Sequence, residues 1–128
     1  MLSPTRVTVV MPVRDDWASA AELIQRLDRL LGSYPCLLNL LLVDDGSAQP
    51  HTEGDFQSDL KVVRTIQVLR LRRNLGHQRA IAIGIVYASQ SIPCDAVLVM
   101  DADGEDTPEG VLQLLRAFSE DHLGKKAV

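Results

Sequence analysis

A basic excess is the first thing this sequence lacks. Its 13 Lys and Arg stand against 17 Asp and Glu, for a formal net charge of -4, whereas a nucleic-acid-binding domain leans the other way. Aromatic residues are only 4% of the 128, too few for the stacking platforms that hold single-stranded nucleic acid. No nucleic-acid partner is therefore expected. Long apolar runs are also missing, and no window approaches the roughly 18 residues that a membrane-crossing helix needs. The N-terminal segment MLSPTRVTVV has no signal-peptide core, because its apolar run is short and Arg6 interrupts it. Cysteine is scarce. Cys36 and Cys94 lie far apart, without C-x-x-C or Cys/His metal spacing, and are expected to be reduced, partly buried thiols of an intracellular protein.

What remains is an ordinary globular composition, 46% apolar and 23% charged, in one domain's length of chain. Short apolar runs alternate with helical periodicity, which predicts an α/β fold built on an open, mostly parallel twisted sheet with helices on both faces. A first strand is expected over Val7–Met11, stopped by Pro12. A helix follows over Trp17–Leu31, with Trp17, Ala20, Ala21, Ile24, Leu27 and Leu31 as its buried stripe and Gly32 as its stop. The near-continuous apolar run Leu37–Val43 predicts a strand covered on both faces. Residues 47–59 are rich in Ser, Gly, Pro and Asp and read as loop with at most a turn of helix. A third strand over Val62–Leu71, a helix over Gly76–Ser89 and a fourth strand over Ala96–Met100 complete the alternation. Thr107 and Pro108 then have the pattern of an N-cap and first helical residue. The last helix is expected to bury Val111, Leu114, Leu115 and Phe118. Ala80, Gly84 and Ala88 form a small-residue stripe suited to close helix–sheet packing.

Ligands of open parallel sheets bind beyond the carboxyl ends of the strands, and here those ends are chemically distinctive. They read Pro12-Val13-Arg14-Asp15-Asp16, Asp44-Asp45-Gly46-Ser47, Arg72-Arg73-Asn74 and Asp101-Ala102-Asp103-Gly104-Glu105-Asp106. The last holds four carboxylates in six residues. Crowded together they repel one another, and a hard divalent cation such as Mg²⁺ or Mn²⁺ relieves that repulsion. The bland alternative is a solvated acidic turn ahead of the helix at Thr107. An EF-hand does not fit, since its glycine position would fall on Asp106 and its bidentate glutamate on Leu112. One of Asp44 and Asp45 suits an Asx turn, while a carboxylate at this place can accept from a nucleobase N–H or a ribose hydroxyl. One of Asp15 and Asp16 is expected to cap the first helix, with Asp16 equally suited to a ligand. Arg72, Arg73, Asn74, Gly76 and His77 sit at a strand-to-helix turn, where free N–H groups attract anions. The alternatives there are two solvated arginines and a His77 that hydrogen-bonds at a helix end.

Taken together, VVMPVRDD, LLVDDGS, RRNLGHQRAIAIGIVYA and DAVLVMDADGEDTPE resemble one family, the inverting family-2 glycosyltransferases of GT-A fold. Within it the likeness is to the polyprenyl-phosphate branch of dolichol-phosphate mannose synthases and bactoprenol glucosyltransferases. The segments occur in the family's order from Val9 to Glu109. The resemblance implies that the chain is the Rossmann-like half that binds a nucleotide sugar. Pro12, Arg14 and Asp16 would line the base and ribose pocket, and Val43 and Asp45 would contact the nucleotide. Asp101, Ala102 and Asp103 match the D-x-D motif, with Asp101 toward the nucleotide and Asp103 toward the metal. Asp101 and Asp103 are thereby the implied catalytic pair, and Asp103 with Glu105 the implied ligands of Mg²⁺ or Mn²⁺. Arg14 stands where the family usually has an aromatic, Asp16 where it has Glu, and Gly104-Glu105 where Leu-Gln is commoner.

The same resemblance implies transfer of a hexose, with inversion, from a UDP- or GDP-linked sugar to an acceptor such as a lipid phosphate. The setting it implies is the cytoplasm, at the cytoplasmic face of a membrane, in cell-wall or glycolipid synthesis. It also implies a single domain over residues 1–128 that is incomplete at its C-terminus, with the acceptor half beyond Val128. An uncovered edge strand in such a chain would favour a homo-oligomer. Two other readings compete. A phosphoacceptor receiver domain shares acidic strand ends, but places its acidic pair after the first strand, whereas a whole strand and helix precede Asp44. Nor do Lys125 and Lys126 follow a late buried strand. A nucleotide-binding relative without turnover keeps the fold and drops the chemistry.

Overall fold

The computed structural model describes residues 4–102 and 106–123. Its elements, in chain order, are β1 (Thr5–Val13), α1 (Trp17–Leu30), a 3-10 turn (Leu31–Ser33), β2 (Cys36–Asp44), a second 3-10 turn (Glu53–Asp55), β3 (Val63–Arg70), α2 (His77–Ser91), β4 (Ala96–Val99) and α3 (Pro108–Leu123). The strands form one sheet of order β3-β2-β1-β4, and every pairing is parallel. This is the α/β sheet expected from the alternation of apolar runs and helical periods. The order is that of a Rossmann half. A receiver domain would put its first strand between the second and third, so the topology removes that alternative.

The two central strands are the most buried, as strands covered on both faces should be. On one face Val7, Val9, Met11 and Val13 of β1 and Leu38, Leu40 and Leu42 of β2 pack with Ile24, Leu27 and Leu31, and with Val111 and Leu115 of α3. On the other, Val10, Leu41 and Val43 meet Ala80 and Ala88 of α2. Gly84 explains how α2 comes so near: a Cβ there would lie 2.5 Å from Val10 Cγ1 and 2.8 Å from Val43 Cγ2. The small-residue stripe is thus a packing device.

Several expectations are corrected. Strand β1 does not stop at Pro12, which pairs with Val43 in register. Val13 O accepts Asp45 N–H on the β2 side, and Val10 O accepts Met100 N–H on the β4 side. Pro12 shares the parity of Val10, so its missing N–H falls toward β4, beyond the last paired residue, Val99. No β1–β2 ladder bond is lost. In α1, Leu23 is buried in the stripe and Ala21 is only half-buried. In α3, Leu114 is 57% exposed, and Leu112 packs on the core instead. The helix is rolled toward Leu112, a rotation that the apolar spacing alone leaves free. At its start Gly110 N–H donates to Thr107 Oγ1 at 3.1 Å, the cap that the sequence pattern predicted.

The connection from β2 to β3 is a loop with one 3-10 turn, and two devices hold it. Trp17, His51 and Phe56 pack in series with their rings tilted, centroids 5.4 Å and 6.4 Å apart. Buried Asp28 of α1 accepts the N–H groups of Lys61, Val62 and Val63 at 2.7–3.0 Å. Burial alone would raise the Asp28 carboxyl, but these backbone donors, aided by the Lys61 charge, outweigh it and hold the group below its ordinary value. Cys36 is buried in β2, and desolvation, with a smaller push from the Asp28 charge, raises its thiol. Such a thiol is unreactive.

Three outcomes are expected. Asp28→Ala should cost on the order of 3 kcal/mol in urea unfolding, because buried donors left without an acceptor cost about 1–3 kcal/mol each; a loss under about 1 kcal/mol would remove the brace from the account. The folded carboxyl titrates below the unfolded one. Its contribution is therefore full at neutral pH and is lost as pH falls through the depressed folded value. Asp28→Asn should accordingly flatten the acid limb of the stability curve. Separately, Gly84→Val should destabilise by about 1–3 kcal/mol through overpacking against Val10 and Val43, read as a lowered urea midpoint at unchanged slope.

Candidate functional site

The parallel sheet brings its strand ends to one rim, and backbone bonds carry the ladders past the strands. Asp45 N–H reaches Val13 O at 2.9 Å, Leu71 N–H reaches Asp44 O at 2.9 Å, and Met100 N–H reaches Val10 O at 3.0 Å. Each segment leaving the sheet thus starts from a fixed position.

After β1 the chain turns through Asp15, a non-glycine residue at φ 63°. That left-handed geometry is uncommon for such a residue, and a staple to the loop after β2 holds it. Asp15 N–H donates to Ser47 Oγ at 2.8 Å, and Gln49 N–H donates to Asp15 Oδ1 at 2.9 Å. The Trp17 indole N–H then bonds Gln49 O at 2.8 Å. The N–H groups of Gln49 and Ala48 hold the Asp15 carboxyl below its ordinary range. Asp16 occupies the N-cap position of α1 but makes no side-chain cap bond. Its Oδ1 accepts Arg14 N–H at 2.8 Å instead, so the expected side-chain cap is not made.

After β2, Asp44 and Asp45 divide the work. Asp44 Oδ1 accepts the N–H of Ser47, three residues on, at 2.9 Å and closes the turn after β2, one residue wider than the expected Asx turn. Asp45 reaches across to the turn between β3 and α2. Its Oδ1 accepts Leu75 N–H at 2.7 Å, and its Oδ2 accepts Gly76 N–H and Asn74 Nδ2–H at 3.2 Å each. The Asn74 amide also donates to Asp45 O at 3.1 Å. Gly46 permits the approach: its φ is 78°, and a Cβ would fall 2.5 Å from Asn74 N. After β4, Asp101 N–H donates to Asp106 Oδ2 at 2.8 Å, and His77 Nε2 lies 3.0 Å from Asp101 Oδ1.

Between these segments is a cleft of about 260 Å³ lined by Pro12, Val13, Arg14, Asp16, Asp45, Asn74, Gly76, His77, Asp101 and Ala102. It opens beside β1, where the order reverses toward β4, the switch point at which such sheets take ligands. Six residues assigned to nucleotide-sugar binding are brought together there: Pro12, Arg14, Asp16, Asp45, Asp101 and Ala102. Val43 is elsewhere, fully buried beneath α2. Asp103 and Glu105 lie outside the described residues. Among the described residues, no three His, Cys, Asp or Glu side chains converge as a metal-ligand group. Arg72 and Arg73 are exposed and do not line the cleft.

A family model described as glycosyl transferase family 2 matches residues 8–124. The chain belongs to that family. Its sequence is 32% identical over 113 residues to the glycosyltransferase YkcC of Bacillus subtilis (strain 168), an alignment covering 88% of this chain and 33% of that one. It is 30% identical over 115 residues to an undecaprenyl-phosphate 4-deoxy-4-formamido-L-arabinose transferase of Salmonella choleraesuis (strain SC-B67), covering 90% and 34%. The crystal structure of S. aureus TarS 1-349 superposes with a TM-score of 0.66 at 18% identity, covering 91% of this chain and 33% of that one. The family-2 chain thus shares the GT-A fold and spans about a third of the length of the relatives it matches. Among its described residues, no helix is long and apolar enough to cross a membrane.

The residues missed as cleft lining were Val13, Asn74, Gly76 and His77. The strand-to-helix turn drew attention to the last three, but nothing in their spacing shows that Asp45 pulls this turn onto the rim. Gly46→Ala tests that clasp. Strain at a positive φ costs about 1–3 kcal/mol, and the added methyl collides with backbone. A loss of at least roughly 2 kcal/mol is expected, together with faster hydrogen exchange at the Leu75 and Gly76 amides; unchanged exchange there would show that the two turns do not depend on each other.

Proposed function

We propose that the cleft binds the nucleoside-diphosphate part of a UDP- or GDP-linked sugar. The chain would serve the inverting transfer of that hexose to an acceptor, a polyprenyl phosphate. The observation that carries this reading is the convergence of Pro12, Arg14, Asp16, Asp45, Asp101 and Ala102 in one cleft at the sheet's switch point. The name of the Salmonella transferase, an undecaprenyl-phosphate enzyme, supports a lipid-phosphate acceptor and with it a working position at a membrane surface.

In this reading Asp16 and Asp45 offer carboxylate oxygens toward base and ribose, and Pro12 and Ala102 supply apolar walls. Arg14 stands at the mouth with a guanidinium for the anionic ligand. Asp101 faces the nucleotide from the β4 side. The D-x-D segment continues into Asp103 and Glu105, which would hold Mg²⁺ or Mn²⁺ through oxygen ligands, the donor type that such hard ions prefer. Bound there, the ion offsets charge gathering on the departing diphosphate. A phosphate acceptor, with a second pKa of about 6, is already largely ionised at neutral pH and needs no strong base.

Calorimetric titration of UDP and GDP, with and without MnCl₂, tests the reading. One of the two nucleotides should bind in a metal-dependent manner. Asp101→Ala and Asp103→Ala should each weaken that binding by roughly tenfold or more, the scale of a lost charge-assisted contact. Affinity indifferent to metal and to both substitutions would overturn the proposal.

A further inference from the structure

The contact between His77 and Asp101 ties the first residue of α2 to the first carboxylate after β4, two elements that share no motif. Both side chains line the cleft. Asp101 is 25% exposed and His77 54%, so the pair stands at the mouth, in solvent contact. A carboxylate oxygen accepts, so the 3.0 Å approach requires the proton on His77 Nε2. Among the described residues, His77 is the one whose side chain bonds the Asp101 carboxylate.

The position of His77 is itself built. Gly76, at φ 99°, turns the chain into α2, and the Asp45 carboxylate grips Gly76 N–H and Leu75 N–H. On the opposite side Asp106 Oδ2 takes Asp101 N–H, which fixes the Asp101 backbone and leaves its side chain a rotor. A part-exposed aspartate has more than one open rotamer, and only some keep a carboxylate oxygen at the cleft wall. A donor fixed across the cleft selects among them.

We propose that His77 is a positioning residue for the nucleotide ligand: its Nε2–H holds the Asp101 carboxylate against the cleft, with Oδ1 occupied and Oδ2 presented to a ligand hydroxyl or N–H. This rests on the nucleotide reading of the cleft. It assigns His77 no contact with the reacting atoms and no role in proton transfer. The requirement is for an N–H donor at that reach, which a glutamine amide also supplies.

The test uses the 128-residue chain with UDP or GDP, whichever binds, in the presence of MnCl₂. His77→Ala should weaken binding roughly two- to fivefold, the scale of a solvent-exposed ion pair, and His77→Gln should restore most of the loss. The half-exposed site should leave the melting temperature of both variants near that of the parent. A second readout needs no ligand. In long-range ¹H–¹⁵N spectra of the parent, His77 should show a protonated Nε2, and Asp101→Ala should shift the ring nitrogens. Binding indifferent to His77→Ala, a glutamine variant as impaired as the alanine one, or ring nitrogens that ignore Asp101→Ala would each overturn the inference. Failure of the parent to bind either nucleotide sinks the reading of the cleft instead, and the ring-nitrogen spectra then still decide whether the contact exists.

Discussion

A carboxylate taken out of water at the end of a buried strand must find donors, and Asp45 finds them in the backbone of another turn. Its two oxygens accept from Leu75 N–H, Gly76 N–H and the Asn74 amide. This clasp decides where α2 starts, and therefore where His77 stands and which wall closes the cleft on that side. It depends in turn on Gly46, the residue type that allows the two backbones to come this close. The rest of the site is arranged around that junction.

The sheet supplies the frame on which such a clasp can act. Central strands β1 and β2 are buried on both faces, and their register runs unbroken from Thr5 with Cys36 to Val13 with Asp44. Helix α2 approaches through Ala80, Gly84 and Ala88, whose small side chains let its backbone sit directly on Val10 and Val43. A bulkier stripe would lift the helix and move its first turn away from Asp45. Packing on one face of the sheet and geometry at its rim are therefore one constraint. On the other face, Asp28 braces the start of β3 in the same manner, chiefly through backbone donors.

The many acidic residues at the rim have separate tasks. Asp15, Asp44, Asp45 and Asp106 accept main-chain N–H groups of other segments or turns. They shape loops, and their charge is spread over oriented backbone dipoles, which lowers the cost of crowding. Asp16 also takes a backbone bond, yet lines the cleft with Arg14 beside it. Asp101 differs in having a side chain as its partner. The acidic character of the rim is thus mostly architecture, and a smaller part faces the space where a ligand fits.

Much of this was legible from the residues alone. Apolar runs and three-to-four spacing place all four strands, the first two helices and the start of the third near their observed positions, because burial on one or two faces writes a period into the sequence. Parallel strands then bring Pro12, Arg14, Asp16, Asp45, Asp101 and Ala102 to one rim, since strand direction alone puts their ends together. Tertiary structure decided the remainder. Whether Pro12 breaks β1 depended on where β4 ends, and the face that α3 buries depended on its roll against the core. The division of labour between Asp44 and Asp45, and the meeting of His77 with Asp101, depended on two loops touching. Periodicity reports which side of an element is buried. It carries no information about contacts between residues whose separation along the chain has no fixed relation to their distance in space.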